Sequence, residues 1–385
     1  MHHVPGASWA WSGVRVGPAH TVKATGGYAD RSEAERLAWL RSVERAWLDG
    51  LWNSGQGRFE VRYTNDPGSG MVSCALLAST FAPDPDEAVA RALAWRDRLG
   101  RTPGHVVAAP LAGEDLRERL DPRFHRPVVR EIRKRLIWGW AGRPDAPFQI
   151  GAAVFPFHDQ GRSWEPVWSG MAVAEHRVML SVCLEPRPAR HELLSALETH
   201  RREHARLAVA TDTGPVYSVR IPPDPLSAMA VPLYEDAFRR FSRTGRIYRV
   251  RITVAAEERL PDGLPEQLVA AISPDDPQGQ AMALRPAGPE EAAAWLNVAR
   301  LGQAQLETTY AQGVPPGHLH PAVRELAGTV DVNEAGAVFQ LPCETPQRPP
   351  LFERVVVPSA PSSPPPPRVE PDSHLPTFMD EHDDA

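Results

Sequence analysis

The sequence predicts an α+β protein: two or three small modules of antiparallel or mixed sheet with helices on one face, followed by a disordered proline-rich tail. Three observations lead there. Strand-like alternation and helical spacing of apolar residues recur in one chain, the order strand, strand, helix appears more than once, and Ser and Pro become dense after Pro342. The chain has 385 residues, 42% of them hydrophobic, which suffices for two or three packed units.

Residues 1–30 are rich in glycine and read as a flexible start. The first module spans 31–142. Ser32 and Glu35 have the spacing of a capping box before a helix whose apolar positions are Leu37, Leu40, Val43, Trp47 and Leu51. Phe59 to Thr64 and Met71 to Phe81 read as strands, and the turn residues Asn65 to Gly70 between them predict a hairpin. Asp84, Pro85 and Glu87 then open a helix that Gly100 ends.

The second module, 143–212, repeats the pattern with strands at Phe148 to Phe157 and Val178 to Leu184 and a helix from Pro188 to Leu207. The third, 213–342, has helices at Tyr234 to Phe241, Pro265 to Ile272 and Pro289 to Leu301. Its strands are Ile247 to Ala256 and Gln280 to Arg285. Small two-stranded units with helices predict ferredoxin-like topology. Residues 343–385 read as a linker, with four consecutive prolines at Pro364 to Pro367 favouring solvated polyproline II, and an acidic end.

Composition excludes several classes. No apolar run approaches the roughly 20 residues of a membrane span, and the N-terminal region lacks a signal-peptide core. Cys74, Cys183 and Cys343 lie too far apart in sequence for a zinc or redox pair. A cytoplasmic protein without membrane association is expected. The net charge is −6, and the segment from Arg368 onward carries six acidic residues against one arginine, so the body is close to neutral.

The chain has 40 arginines and two lysines, Lys23 and Lys134. Neither lysine lies in the Gly-Lys-Ser/Thr context by which a P-loop reaches nucleotide phosphates. No Gly-x-Ser-x-Gly elbow and no kinase motif set occurs. No catalytic residue, no cofactor and no metal is therefore expected, and the protein reads as a non-enzyme. One segment fits a catalytic formula: His200, Glu203 and His204 match H-x-x-E-H, the basis of an alternative reading as a metal-dependent hydrolase. His200 and His204 share a helical stripe with Leu193, Leu197 and Leu207, which also suits histidines at the edge of a core. His318 and His320 sit among prolines and read as a turn.

Two arginine-rich runs supply candidate nucleic-acid contacts, Arg130, Arg133, Lys134 and Arg135 in the first and Arg246, Arg249 and Arg251 in the second. Alternation in the second run predicts a strand with one basic and one apolar face; a solvated, ion-paired face is the other reading of such runs. Eleven tryptophans, including Trp138, Trp140, Trp164 and Trp168, suit packing or base stacking. In the tail, Leu375, Phe378 and Met379 followed by Asp380 and Glu381 read as an apolar anchor with an acidic guide for a protein partner.

The order of elements resembles the N-terminal, non-catalytic region of HerA/FtsK-like DNA-translocating ATPases, including those of conjugative secretion. The resemblance runs over about residues 30–342 and rests on the hairpin and helix of Phe59 to Leu99, the segment Val129 to Arg135, the strand Met179 to Pro186, the helix end His204 to Ala208, the strand Tyr248 to Val254 and the segment Asp331 to Pro342. It implies an interaction or scaffold subunit that works beside a separately encoded ATPase in DNA translocation, since the chain passes into the proline-rich segment where such proteins continue into a motor domain. A nucleic-acid-binding accessory is the alternative.

Overall fold

The computed structural model describes residues 2–4, 7–19, 26–52, 57–146, 148–213, 219–315, 317–346 and 348–356. Its strands, in chain order, are β1 His2–Val4, β2 Ala7–Pro18, β3 Arg58–Asp66, β4 Met71–Ala82, β5 Val106–Pro110, β6 Pro127–Arg133, β7 Leu136–Trp140 and β8 Ile150–Val154. They continue with β9 Val178–Pro188, β10 Thr211–Thr213, β11 Val219–Ile221, β12 Arg246–Glu257, β13 Met282–Leu284 and β14 Thr329–Val330.

Ten of these strands form one sheet in the order β1-β2-β4-β3-β9-β12-β6-β13, with β5 added on β2 and β14 on β12. Every pairing within it is antiparallel. The fold is thus α+β with a large antiparallel sheet. The three stretches expected as separate modules meet within it: β9 lies between β3 and β12, in register from Phe59↔Leu184 and from Arg246↔Pro188 to Ala256↔Val178. Val61, Val182 and Ile252 accordingly share one core cluster. The strand order is not that of a ferredoxin-like unit.

Local expectations were met where short-range chemistry governs. Ser32 and Glu35 exchange the capping-box hydrogen bonds ahead of the helix Glu33–Trp52. Asp84 accepts from the Glu87 amide at the start of Pro85–Leu99. Asp66 ties the β3–β4 turn through the amides of Gly68, Ser69 and Gly70.

Alternation along the strands sends Phe59, Val61, Val72, Cys74, Leu180, Val182, Val250 and Ile252 to one face. There they meet Leu48, Leu51, Trp95, Trp168 and Leu268 from four helices, including Glu165–Ala172 and Leu264–Ile272. Burial of each large apolar side chain contributes about 1.5–3 kcal/mol. The opposite face is covered too, where one-sided packing was expected. Helices Gly113–Leu120 and Glu291–Ala299 lie over it, packing Leu116 on Ala75 and Leu77, and Ala294 and Val298 on Met179 and Ala255.

Beside this sheet, β7 and β8 pair as a hairpin, from Leu136↔Val154 to Trp140↔Ile150. Helices His191–Leu207 and Pro225–Thr244 pack against it with Leu193, Leu197, Tyr234 and Phe241. The expected partnership of the 148–157 and 178–184 segments is therefore replaced. β8 takes the sequence-local β7, while the continuous apolar run of β9 suits a central strand buried on both faces. The second helix also runs through Pro232, which the sequence reading placed before its start. Tyr234, whose hydroxyl donates to the Ala152 carbonyl at 2.9 Å, ties the helix to β8 just beyond the proline.

Both ends of the described body differ from expectation. β2 lies inside the supposedly flexible segment 1–30 and pairs with β4 from Ser8↔Ala82 to Val16↔Cys74. Its glycines serve close approach: a Cβ on Gly13 would lie 2.8 Å from Leu77 Cδ2 and 3.0 Å from the Leu76 carbonyl oxygen. Within the expected linker 343–385, Phe352 is 2% exposed, and Leu351 and Glu353 bond to the backbone of Val72. Residues 357–385, with the proline run and the acidic end, lie outside the described residues. Among the described residues no helix is long and apolar enough to cross a membrane.

Candidate anion-binding site

The face of the sheet opposite the main core carries charge in register. Cys183 of β9 pairs with Glu60 of β3 on one side and Arg251 of β12 on the other; in the next row Ser181 pairs with Arg62 and Thr253, and Thr253 with Glu131 of β6. Glu60 accepts from Arg62 Nε at 2.6 Å and from Arg251 Nη2 at 2.7 Å. Arg62 also donates to the Leu120 and Val298 carbonyls under the covering helices, at 2.8 and 2.7 Å. Burial opposes the charge on Arg251, but Glu60, Glu131 and the other groups around it together outweigh this and hold the guanidinium protonated. Glu131 is shifted upward by burial; Arg251 and the Thr253 and Tyr310 hydroxyls, both donating at 2.9 Å, only partly counter this.

This network opens at one side into a cavity of about 380 Å³. Arg133, Arg187, Arg190, Arg249, Arg251 and Arg324 line it, against two lining carboxylates, Glu307 and Glu325. Four of the arginines have partners: Arg251 with Glu60, Arg187 with Glu185, Arg190 with Glu325 and Arg324 with Glu307. Arg133 and Arg249 make no ion pair with any described residue. Arg133 instead lies 3.9 Å over the Tyr310 ring and donates to the Val250 carbonyl at 3.3 Å. Burial, together with Arg187, Arg133 and Arg58, pushes Arg249 below the ordinary arginine range, and Glu185 offsets only part of this. Because arginine stays charged in proteins, Arg249 remains a cation that Glu185 balances only in part. Gln303 closes one wall: its Nε2 donates to the Cys183 and Arg249 carbonyls, both at 3.2 Å, while its Oε1 is buried without a hydrogen bond. The arrangement can hold an anion by charge-assisted, fork-like hydrogen bonds.

Of the seven basic residues that the sequence offered as nucleic-acid contacts, three meet here, Arg133, Arg249 and Arg251. The others disperse. Lys134 is buried, pairing with Glu334 at 2.5 Å and donating to the Thr329 carbonyl. Arg246 pairs with Asp49 at 3.1 Å, next to Trp52. Arg130 lines a separate groove with Arg126 and Arg285, and Arg135 is half-buried near Phe155. Arg187, Arg190, Arg324, Tyr310 and Gln303 were not singled out from the sequence. Counting by twos along β9 from the buried Cys183 would have placed Arg187 on this face; Arg190 follows just past the end of β9, and the other three come from distant loops and helices and leave no local signal. The tail residues Leu375, Phe378, Met379, Asp380 and Glu381 lie outside the described residues.

The H-x-x-E-H segment lies elsewhere, on the helix beside β8. The rings of His200 and His204 both stack on Tyr234, and His204 Nδ1 bonds the Ser227 hydroxyl at 2.9 Å. His320 approaches edge-on, 4.7 Å from His200 between ring centroids, and Glu203 lies 3.6 Å from His200 Nδ1. Among the described residues no three His, Cys, Asp or Glu side chains are placed to hold a metal.

Burial, then His320 and His204, lowers His200 from 6.5 to about 4. The unfolded chain thus binds the extra proton first as pH falls, so this site's contribution to stability is complete above about pH 6.5 and is lost toward pH 4. For a half-buried group, solvent screening reduces the effect to about 1–2 kcal/mol. Urea denaturation of the parent and His200→Phe between pH 4 and 7 is expected to give a shallower decline in the variant. Parallel declines would contradict the assignment.

No protein-family model and no curated protein matches this chain.

Proposed function

We propose that this protein is a binding module for a phosphate-bearing ligand, held in the arginine-lined cavity. The observation that carries the reading is the convergence of six arginines on one concavity in which Arg133 and Arg249 make no ion pair with any described residue. Guanidinium groups match phosphate oxygens in pairs. Partial enclosure favours a single phosphate group over a groove that tracks a long duplex backbone. Nucleic-acid ends and small phosphate esters share this chemistry. Association with a separately encoded DNA-motor ATPase rests on the resemblance in element order alone, and the cavity neither requires nor opposes it.

Arg249→Gln is expected to weaken binding of inorganic phosphate by about 10- to 100-fold, as calorimetry would record, since one charge-assisted contact is lost. Stability should hold or rise slightly, because the variant removes a half-buried cation crowded by other arginines. Unchanged phosphate affinity in this variant and in Arg133→Gln, or no phosphate binding by the parent protein, would end the proposal.

A further inference from the structure

A second concavity, of about 550 Å³, adjoins the arginine cavity. Trp9 and Trp11 form one side, and Leu296 of the covering helix and Arg300 just past its end form the other. Trp9 and Trp11 alternate with buried Ser8 and Ala10 along β2, which turns both rings to the same face of the strand. Neither ring is closed into the core: both are half-buried, and Leu296 is 47% exposed. Arg58 lies over the Trp9 ring at 5.5 Å and shares Glu185 with Arg187, so it links the aromatic groove to the cationic cavity.

Gln303 and Ala304 line both spaces. Gln303 is 6% exposed, and with its Nε2 fixed by two carbonyls its Oε1 has no hydrogen bond. A buried acceptor left open is costly. It calls for a donor, which a bare phosphate dianion lacks and a ligand with hydroxyl or amino groups provides.

We propose that groove and cavity form one composite site for a nucleotide unit, with the phosphate among Arg133, Arg187 and Arg249, the base against Trp9 and Trp11, and a sugar hydroxyl or base amino group at Gln303. Adjacent aromatic and arginine surfaces are the combination that holds single nucleotides and unpaired strand ends. A duplex end keeps its bases stacked and cannot offer one to the groove. The inference rests on the phosphate reading above and adds the chemistry of the rest of the ligand.

The test compares inorganic phosphate, ribose 5-phosphate, adenosine 5′-monophosphate and a short 5′-phosphorylated single-stranded oligonucleotide on the full chain, read by calorimetry and tryptophan fluorescence. Adenosine monophosphate should bind about tenfold or more tighter than ribose 5-phosphate and quench fluorescence. Trp9→Leu with Trp11→Leu should abolish that difference while leaving ribose 5-phosphate affinity unchanged. Equal affinity for adenosine monophosphate and ribose 5-phosphate would overturn the composite site and leave the phosphate reading standing. Failure of all four probes to bind would remove both. Comparable binding of the oligonucleotide supports the site as a receptor for strand ends, and its exclusion supports it as a receptor for free nucleotides. Should the tryptophan variants not fold, the comparison of ligands on the unaltered protein still decides.

Discussion

Glu60→Ala is expected to destabilise the protein by about 3–5 kcal/mol, the range seen when one partner of a buried ion pair is removed. Glu60 is fully buried and is the carboxylate between Arg62 and Arg251, themselves 1% and 2% exposed. Without it, Arg62 keeps carbonyl acceptors beneath the covering helices, and Arg251 keeps the Gly302 carbonyl and the Thr253 hydroxyl. Two buried cations would nevertheless remain, and the upward-shifted Glu131 would only partly balance Arg251. Glu60→Gln preserves an acceptor without the charge and should cost less. Urea denaturation measures both, and a loss under about 1 kcal/mol for alanine would mean that water reaches this layer. The measurement also bears on ligand binding, because Arg251 reaches the cavity from this network.

Phe352→Ala should cost about 3–5 kcal/mol, the usual penalty for emptying a buried aromatic site. The Phe352 ring lies 5.0 Å from Trp168 and 6.2 Å from Tyr63, and its neighbours form two backbone hydrogen bonds with Val72. Thermal melting and limited proteolysis should show a less stable protein that is cleaved earlier in the 343–356 segment. A loss under about 1 kcal/mol, with unchanged cleavage, would restore the reading of that segment as an unpacked linker. The polar composition of the stretch hides a short apolar hook, Leu351 and Phe352, that only the surface of β4 makes meaningful.

The legible parts of this fold were those whose cause lies within a few residues. The capping box at Ser32, the N-cap at Asp84 and the turn at Asp66 each depend on side chains that reach neighbouring amides. The long alternation of β12 likewise announced a strand with one apolar and one charged face. β2 escaped notice because Gly13 and Gly17 read as looseness, whereas Leu77 and the Glu353 carbonyl occupy the space a Cβ would need. The candidate site was half visible: Arg133, Arg249 and Arg251 stood out as members of basic runs, yet Lys134 and Arg246 in the same runs were diverted to Glu334 and Asp49.

The sequence by itself determined the mixture of helices and strands, the capped starts of the early helices, the first hairpin and the two-faced character of β12. Only the tertiary structure decided that the strands join in one sheet, that helices cover both of its faces, and that six arginines close around one cavity. The physical reason is the period of the β-strand. Alternation says which side chains share a face of one strand, but long-range pairing chooses the strand alongside, and that choice sets which charges meet and which are left without a partner.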